Sequence, residues 1–227
     1  MASFRGRATW LALGTWVFCG VGLGTVTALE VKARWLTPPT PPEVVRDVTV
    51  RRVSDQQGRH ASFRILLFSD EFRWRLASYH AIEDGASSPH FSDEMKKVLN
   101  SAVEIICVGA SSEEVPAGVG FRQGRAQEEW RAGRRADRIA SWVRESLSTP
   151  VPVRKLNIGH HTPTGAARNT SDQRRVVVIL VLEKEQGTNL DESLRAAMME
   201  EAERAPLFDS LLTDYSLGAG KAFTWVP

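Results

Sequence analysis

The sequence carries almost no net charge: 29 basic residues stand against 27 acidic ones, a formal +2. A dedicated nucleic-acid binder needs a basic excess to neutralise phosphates, so the balance argues against that class. The arginines gather instead between Arg122 and Arg144, which leaves a local anion-binding face possible. Cysteine is scarce. Cys19 and Cys107 are the two, and their different settings argue against a disulfide; both read as buried free thiols. Metal ligands are missing: His160-His161 has no Cys/His partner at metal-binding spacing, so no metal is expected and the pair reads as part of a solvated loop. Catalytic signatures are missing too. No Gly-x-Ser-x-Gly elbow surrounds Ser111 or Ser112. Gly218-Ala219-Gly220-Lys221 lacks the spacing, the final Ser/Thr and the leading strand of a phosphate loop. The chain therefore reads as a non-enzyme with no cofactor, and it has no internal repeat.

One absence is a positive signal. No charged residue occurs from Ala8 to Leu29, a run of 22 residues, and about 20 suffice for a helix to cross the hydrocarbon core. Arg5 and Arg7 precede the run without an acidic companion, and Trp10, Trp16 and Trp35 suit its interfacial ends. These features predict a single-pass tether with residues 1–7 in the cytoplasm and the rest exported. The competing reading is a cleaved signal peptide, with Val26-Thr27-Ala28 as the cleavage site. The run lacks the intramembrane charge that an ion path needs. Residues 30–45 form a linker around Thr37-Pro38-Pro39-Thr40-Pro41-Pro42, an extended spacer that cannot continue a helix.

Beyond the linker, hydrophobic periodicity predicts one α+β domain over residues 46–185, followed by a helix and tail over 186–227. Val44 to Val53 alternates and reads as a short edge strand. Arg64 to Phe68 is a short apolar strand, while Phe72 to Tyr79 has no clear assignment. Ser92 caps a helix reaching about Ala102, with acids in its first turn. Val103 to Val108 reads as a buried strand ending at Gly109. Ala126 to Leu147 is the longest soluble helix. Its apolar stripe holds Trp130, Ala132, Ala136, Ile139, Ala140, Val143 and Leu147, and Trp130 and Trp142 read as core. Val151 to Ile158 alternates as a strand, and Gly159 to Asp172 is a polar loop. Arg175 to Leu182 is the strongest strand, apolar enough to be covered on both faces. Leu190 to Glu203 is a further helix, and the tail to Pro227 reads as weakly structured. One sheet backed by helices on one side is the expected architecture.

Four segments in order carry a family resemblance. These are Ile105-Ile106-Cys107-Val108-Gly109, Arg134-Arg135-Ala136-Asp137-Arg138-Ile139, Leu156-Asn157-Ile158-Gly159 and Gln173-Arg174-Arg175-Val176. From roughly Phe63 to Leu182 the chain resembles the OmpA-like C-terminal domain, shared with MotB and the peptidoglycan-associated lipoproteins. The resemblance implies a β-α-β-α-β-β sandwich in the periplasm of a bacterium, anchored in the inner membrane through residues 8–29. It also implies peptidoglycan as partner. An acid after the glycine loop would pair with the ammonium of diaminopimelate, and a helix arginine with its carboxylate. Arg135 matches that arginine by position. The family's Gly-His-Thr-Asp is here Gly109-Ala110-Ser111-Ser112, so Ser112 stands where the acid belongs and Glu113 or Glu114 must replace it. Gly109, Ser112, Glu113 and Arg135 are the candidate site. The alternative is a scaffolding subunit of an envelope complex whose domain has lost glycan binding and contacts proteins.

Overall fold

The computed structural model describes residues 44–69, 72–83, 91–114, 120–162, 170–201, 211–218 and 222–227. The apolar run 8–29, residues 1–7 and the proline linker before Val44 lie outside them. Among the described residues, no helix is long and apolar enough to cross a membrane.

Period-two alternation builds the sheet. Strands β1 (Val44–Ser54) and β2 (His60–Phe68) form an antiparallel hairpin. Asp55 fixes the turn between them. Its carboxylate accepts the backbone N–H groups of Gln57 and Arg59 and the Arg59 guanidinium. Then follow helix α1 (Asp93–Asn100), β3 (Glu104–Ser111), helix α2 (Phe121–Ser146), β4 (Val153–His160) and β5 (Val177–Lys184). Helix α3 (Leu190–Glu201) and β6 (Thr224–Val226) complete the fold. The six strands lie in the order β1-β2-β5-β3-β4-β6. Among the described residues, only β3 and β4 are parallel neighbours. A parallel pair needs a long crossover, and α2 supplies it.

The Ser92 cap forms as expected, its hydroxyl accepting Met95 N–H at 3.2 Å. The one-sided backing does not hold. Phe63, Ile65, Leu67, Ile106, Val108, Val177, Ile179 and Val181 point to one face, where Leu194, Ala197 and Met198 of α3 cover them. Leu66, Phe68, Ile105, Cys107, Val178 and Leu180 point to the other, under Leu99 of α1 and Ile139, Ala140 and Val143 of α2. Helices thus cover both faces. The continuous apolar run of β5 requires this, since a one-sided sheet would leave Val177, Ile179 and Val181 in water. The C-terminal stretch differs from the weakly structured tail expected of it. Leu211, Leu212, Tyr215 and Phe223 are buried in the α3-side core, and β6 pairs with β4 through Lys155↔Val226, Leu156↔Trp225 and Asn157↔Thr224. Three residues are too short a strand for a periodicity signal.

Cys107 lies fully buried in β3, and burial pushes its thiol up to about 12 against the opposing charge of Arg144. In a chain with Cys19 replaced by serine, Cys107 should not react with a thiol reagent until denaturant is added. Rapid stoichiometric labelling of the native chain would contradict the packing described here.

Candidate functional site

The parallel strands β3 and β4 end side by side, with Ser111 paired to His160. The first half of α2 lies over these ends, and the sequence candidates meet there.

Gly109 is not a loop residue. β3 continues through Ser111, and all eight of its residues are buried. A Cβ on Gly109 would stand 1.9 Å from the Ala132 carbonyl oxygen and 2.7 Å from Ala136 N. Gly109 therefore allows α2 to seat directly on β3, a steric role that needs no ligand. Ser112 is buried, with its hydroxyl 3.4 Å from a Glu114 carboxylate oxygen. Glu113 donates its backbone N–H to Gln173 Oε1 at 3.0 Å, and its carboxylate lies 3.9 Å from His161 Nδ1. Glu114 accepts the Thr170 hydroxyl. Both loop acids are thus tied to the 161–173 side of the site.

Arg135 is 1 % exposed. Its Nε donates to Ser78 O at 2.8 Å, Nη1 to Ala110 O at 2.7 Å and Nη2 to Arg75 O at 3.3 Å. Its guanidinium also lies 5.6 Å from the Trp74 ring centre. Burial, then the nearby charge of Arg131, pulls its pKa down to about 9, while Glu128 opposes the fall. It stays charged at neutral pH. The guanidinium thus ties the segment 75–78 to the end of β3.

The carboxylate closest to this machinery comes from the helix. Glu128 is buried, accepts the Ser111 hydroxyl and pairs with Arg131. Neither Glu128 nor Arg131 is among the candidates named from the sequence. Their spacing to Arg135, three and then four residues, is the helical stripe that could have united them. Arg174 was missed as well. It is buried, donates to Trp74 O at 2.8 Å and lies 3.5 Å from the Glu83 carboxylate.

Two further expectations change. His160 and His161 are buried, not part of a solvated loop: His160 closes β4, and His161 bridges to Tyr215. Neither ring nitrogen of His160 makes a hydrogen bond, and Nδ1 lies 3.4 Å from Glu129 Oε1. Burial lowers its pKa, with Arg125 acting in the same direction and Glu129 opposing. Trp142 is core, stacked on Trp74 at 5.2 Å, but Trp130 is 56 % exposed. Trp130 meets Tyr79 edge-on at 5.3 Å, and the Arg134 guanidinium lies 5.6 Å from the Tyr79 ring centre. Tyr79, Trp130 and Arg134 thus make an aromatic and cationic cluster outside the clamp of Arg135. Among the described residues, no group of three His, Cys, Asp or Glu is arranged to hold a metal ion.

No protein-family model matches the chain, and no curated protein matches it. Among solved structures it is similar to the OmpA-like domain of FopA1 from Francisella tularensis subsp. tularensis SCHU S4. The identity is 8 % over 64 % of this chain and 97 % of that one, with a TM-score of 0.33. It is also similar to the cell wall anchor of the T6SS from Pseudomonas aeruginosa, at 14 % identity over 71 % and 98 %, with a TM-score of 0.32. The periplasmic domain of MotB gives 12 % identity over 79 % and 93 %, with a TM-score of 0.32. At such low identity and superposition these likenesses say nothing of the site.

Replacing Arg135 leaves the carbonyls of Ser78, Ala110 and Arg75 without their donor. Arg135→Ala should lower unfolding free energy by about 3 kcal/mol, and Arg135→Lys, which cannot span three acceptors, by about 2 kcal/mol. Urea titration reads both, and an unchanged midpoint would remove the clamp. A second expectation concerns pH. The unfolded chain protonates His160 near its ordinary value of 6.5, whereas the fold holds it neutral to lower pH. The stability this gives is complete above the ordinary value and is lost as pH falls through it toward the folded value. His160→Gln should flatten the urea midpoint between about pH 7 and pH 5. Identical slopes in both chains would rule the effect out.

Proposed function

We propose that this chain is a non-catalytic structural subunit of the bacterial envelope, tethered through residues 8–29. In this reading its OmpA-like domain has given up the diaminopimelate pocket and serves protein contacts. The observation that carries the proposal is Arg135, whose guanidinium is buried and bonded to three backbone carbonyls of its own chain. A ligand carboxylate would have to displace those carbonyls and reach a group with no exposed surface. The acid side is equally occupied. Ser112 carries no charge, Glu113 and Glu114 turn to His161 and Thr170, and Glu128 is neutralised by Arg131. Binding a zwitterion requires unmet charge on the protein, and here each partner is already met. Exposed Trp130 and Arg134, with half-buried Tyr79 between them, are the residue types that dominate protein interfaces.

The test is calorimetric titration of the full chain in detergent with meso-diaminopimelate, alongside co-sedimentation with purified sacculi. No saturable heat and no pelleting are expected. Saturable binding that Arg135→Lys weakens about tenfold would overturn the proposal and restore a peptidoglycan contact through Gly109, Ser112, Glu113 and Arg135.

A further inference from the structure

The sheet ends on one side at β1, whose outer edge pairs with no strand among the described residues. An edge strand leaves alternate backbone N–H and C=O groups open to a further ladder. We infer that β1 takes up an acidic, extended segment of a partner protein as an added strand.

Backbone geometry is the first support. The register of β1 on β2 shifts between Val44 and Arg46 and again between Val50 and Val53, and Arg52 stands at a φ of 54°. Such irregularities bend an edge away from new partners. Between them Arg46, Asp47, Val48, Thr49 and Val50 pair one for one with Leu67, Leu66, Ile65, Arg64 and Phe63. That unbroken stretch is about the length of an ordinary strand, and Arg51 stands just beyond it.

Side chains are the second support. Val48 and Val50 pack on the α3-side core, so an apolar residue set beside each would extend that surface. Arg46, Asp47, Thr49 and Arg51 are exposed. Arg64 donates to both Asp47 carboxylate oxygens, at 2.9 and 2.6 Å, so this charge is met within the sheet. Arg46 and Arg51 have no carboxylate partner among the described residues. The edge therefore presents an unmet guanidinium near each end of its regular stretch. Charge on an edge repels a strand of the same sign. A second copy of β1 brings the same arginines, with its Asp47 already held by Arg64. Opposite charges on facing residues strengthen a ladder instead. A strand with acids opposite Arg46 and Arg51 and apolar residues opposite Val48 and Val50 fits both the charge and the packing.

The probe is the fluorophore-labelled peptide acetyl-Glu-Val-Thr-Val-Thr-Glu-amide. In antiparallel register its glutamates face Arg51 and Arg46, and its valines face Val50 and Val48. Peptide anisotropy with the full chain in detergent should give a Kd below about 1 mM. Proline at both central positions of the peptide removes a ladder donor whichever side faces β1, and should abolish binding. Arg46→Glu combined with Arg51→Glu should weaken binding at least about tenfold and admit the peptide with lysine in place of glutamate. Circular dichroism verifies that the variant is folded, and Arg46→Gln with Arg51→Gln replaces it should it fail. Hydrogen exchange should slow at the amides of Arg46 to Arg51 when the peptide binds, and not in α2. No saturable binding below about 1 mM, equal binding of the proline peptide, or unchanged exchange in β1 overturns the inference. Concentration-dependent protection of β1 without peptide also overturns it, and assigns the edge to a second copy of the chain. Diaminopimelate is titrated at the ends of β3 and β4, so loss of that pocket reads out separately and neither result decides the other.

Discussion

A guanidinium buried in a protein core must find oxygen acceptors there, and where Arg135 finds them fixes much of this molecule. Leaving a charged group unpaired away from water costs several kcal/mol or more. Two of the three acceptors are carbonyls of a segment that builds little regular structure of its own, since residues 72–83 make only isolated bridges. Such backbone has oxygens to satisfy and no ladder to satisfy them. Arg135 answers at Arg75 and Ser78, and Arg174 at Trp74. Each arginine thereby offsets its own desolvation and the polar deficit of the segment. With the backbone held, Trp74 can stack on Trp142 and close the core on the α1–α2 face of the sheet. Half-buried Tyr79, which meets exposed Trp130 of α2, then sits on a segment whose backbone is tied down.

The same economy of donors and acceptors separates a binding site from a structural one. A pocket for a charged ligand keeps groups oriented but unmet, and the ligand completes them. At the ends of β3 and β4 the groups complete one another: Ser111 with Glu128, Glu128 with Arg131, Arg135 with carbonyls, Glu114 with Thr170. His160 is the exception, a buried ring with no hydrogen bond. Its neighbours Glu129 and Arg125 act on its proton in opposite directions, so it functions in the fold as a neutral ring beside a carboxylate.

Much of this architecture was legible in the residues, and the gaps have physical causes. The continuous apolar run of β5, the long α2 and the Ser92 cap are strong local signals, and each stands where periodicity and capping place it. The β5 run even required apolar cover on both faces, in conflict with helices on one side, and the structure sides with the run. Gly109 read as a loop because glycine is usually read as a turn residue. What it answers is a helix far along the chain, at Ala132 and Ala136, and no local pattern reports that approach. The histidines read as solvated for the same reason, because the cover over His160 and His161 comes from Ser216 and Tyr215 in the distant tail. Trp130 misled in the other direction: it stands two residues before Ala132, about 200° around the helix from the buried stripe, so its ring faces solvent while Glu128 and Glu129 beside it contact the strands.

Charge is met locally at both ends of β4. A total of +2 over the chain predicts nothing about where the excess lies. At the His160 end, Glu128, Glu129 and Glu113 stand among Arg125, Arg131 and Arg135, and the field closes on itself over short distances. At the Val153 end, buried Glu104 is shared between Arg154 and Lys184, and Asp137 between Arg134 and Lys155. Each of these cations therefore has a carboxylate contact, and Arg144 donates to the Val153 carbonyl oxygen. The family resemblance directs attention to the first end, where charge is satisfied. At the second end, β6 and Trp225 are residues that the resemblance does not cover.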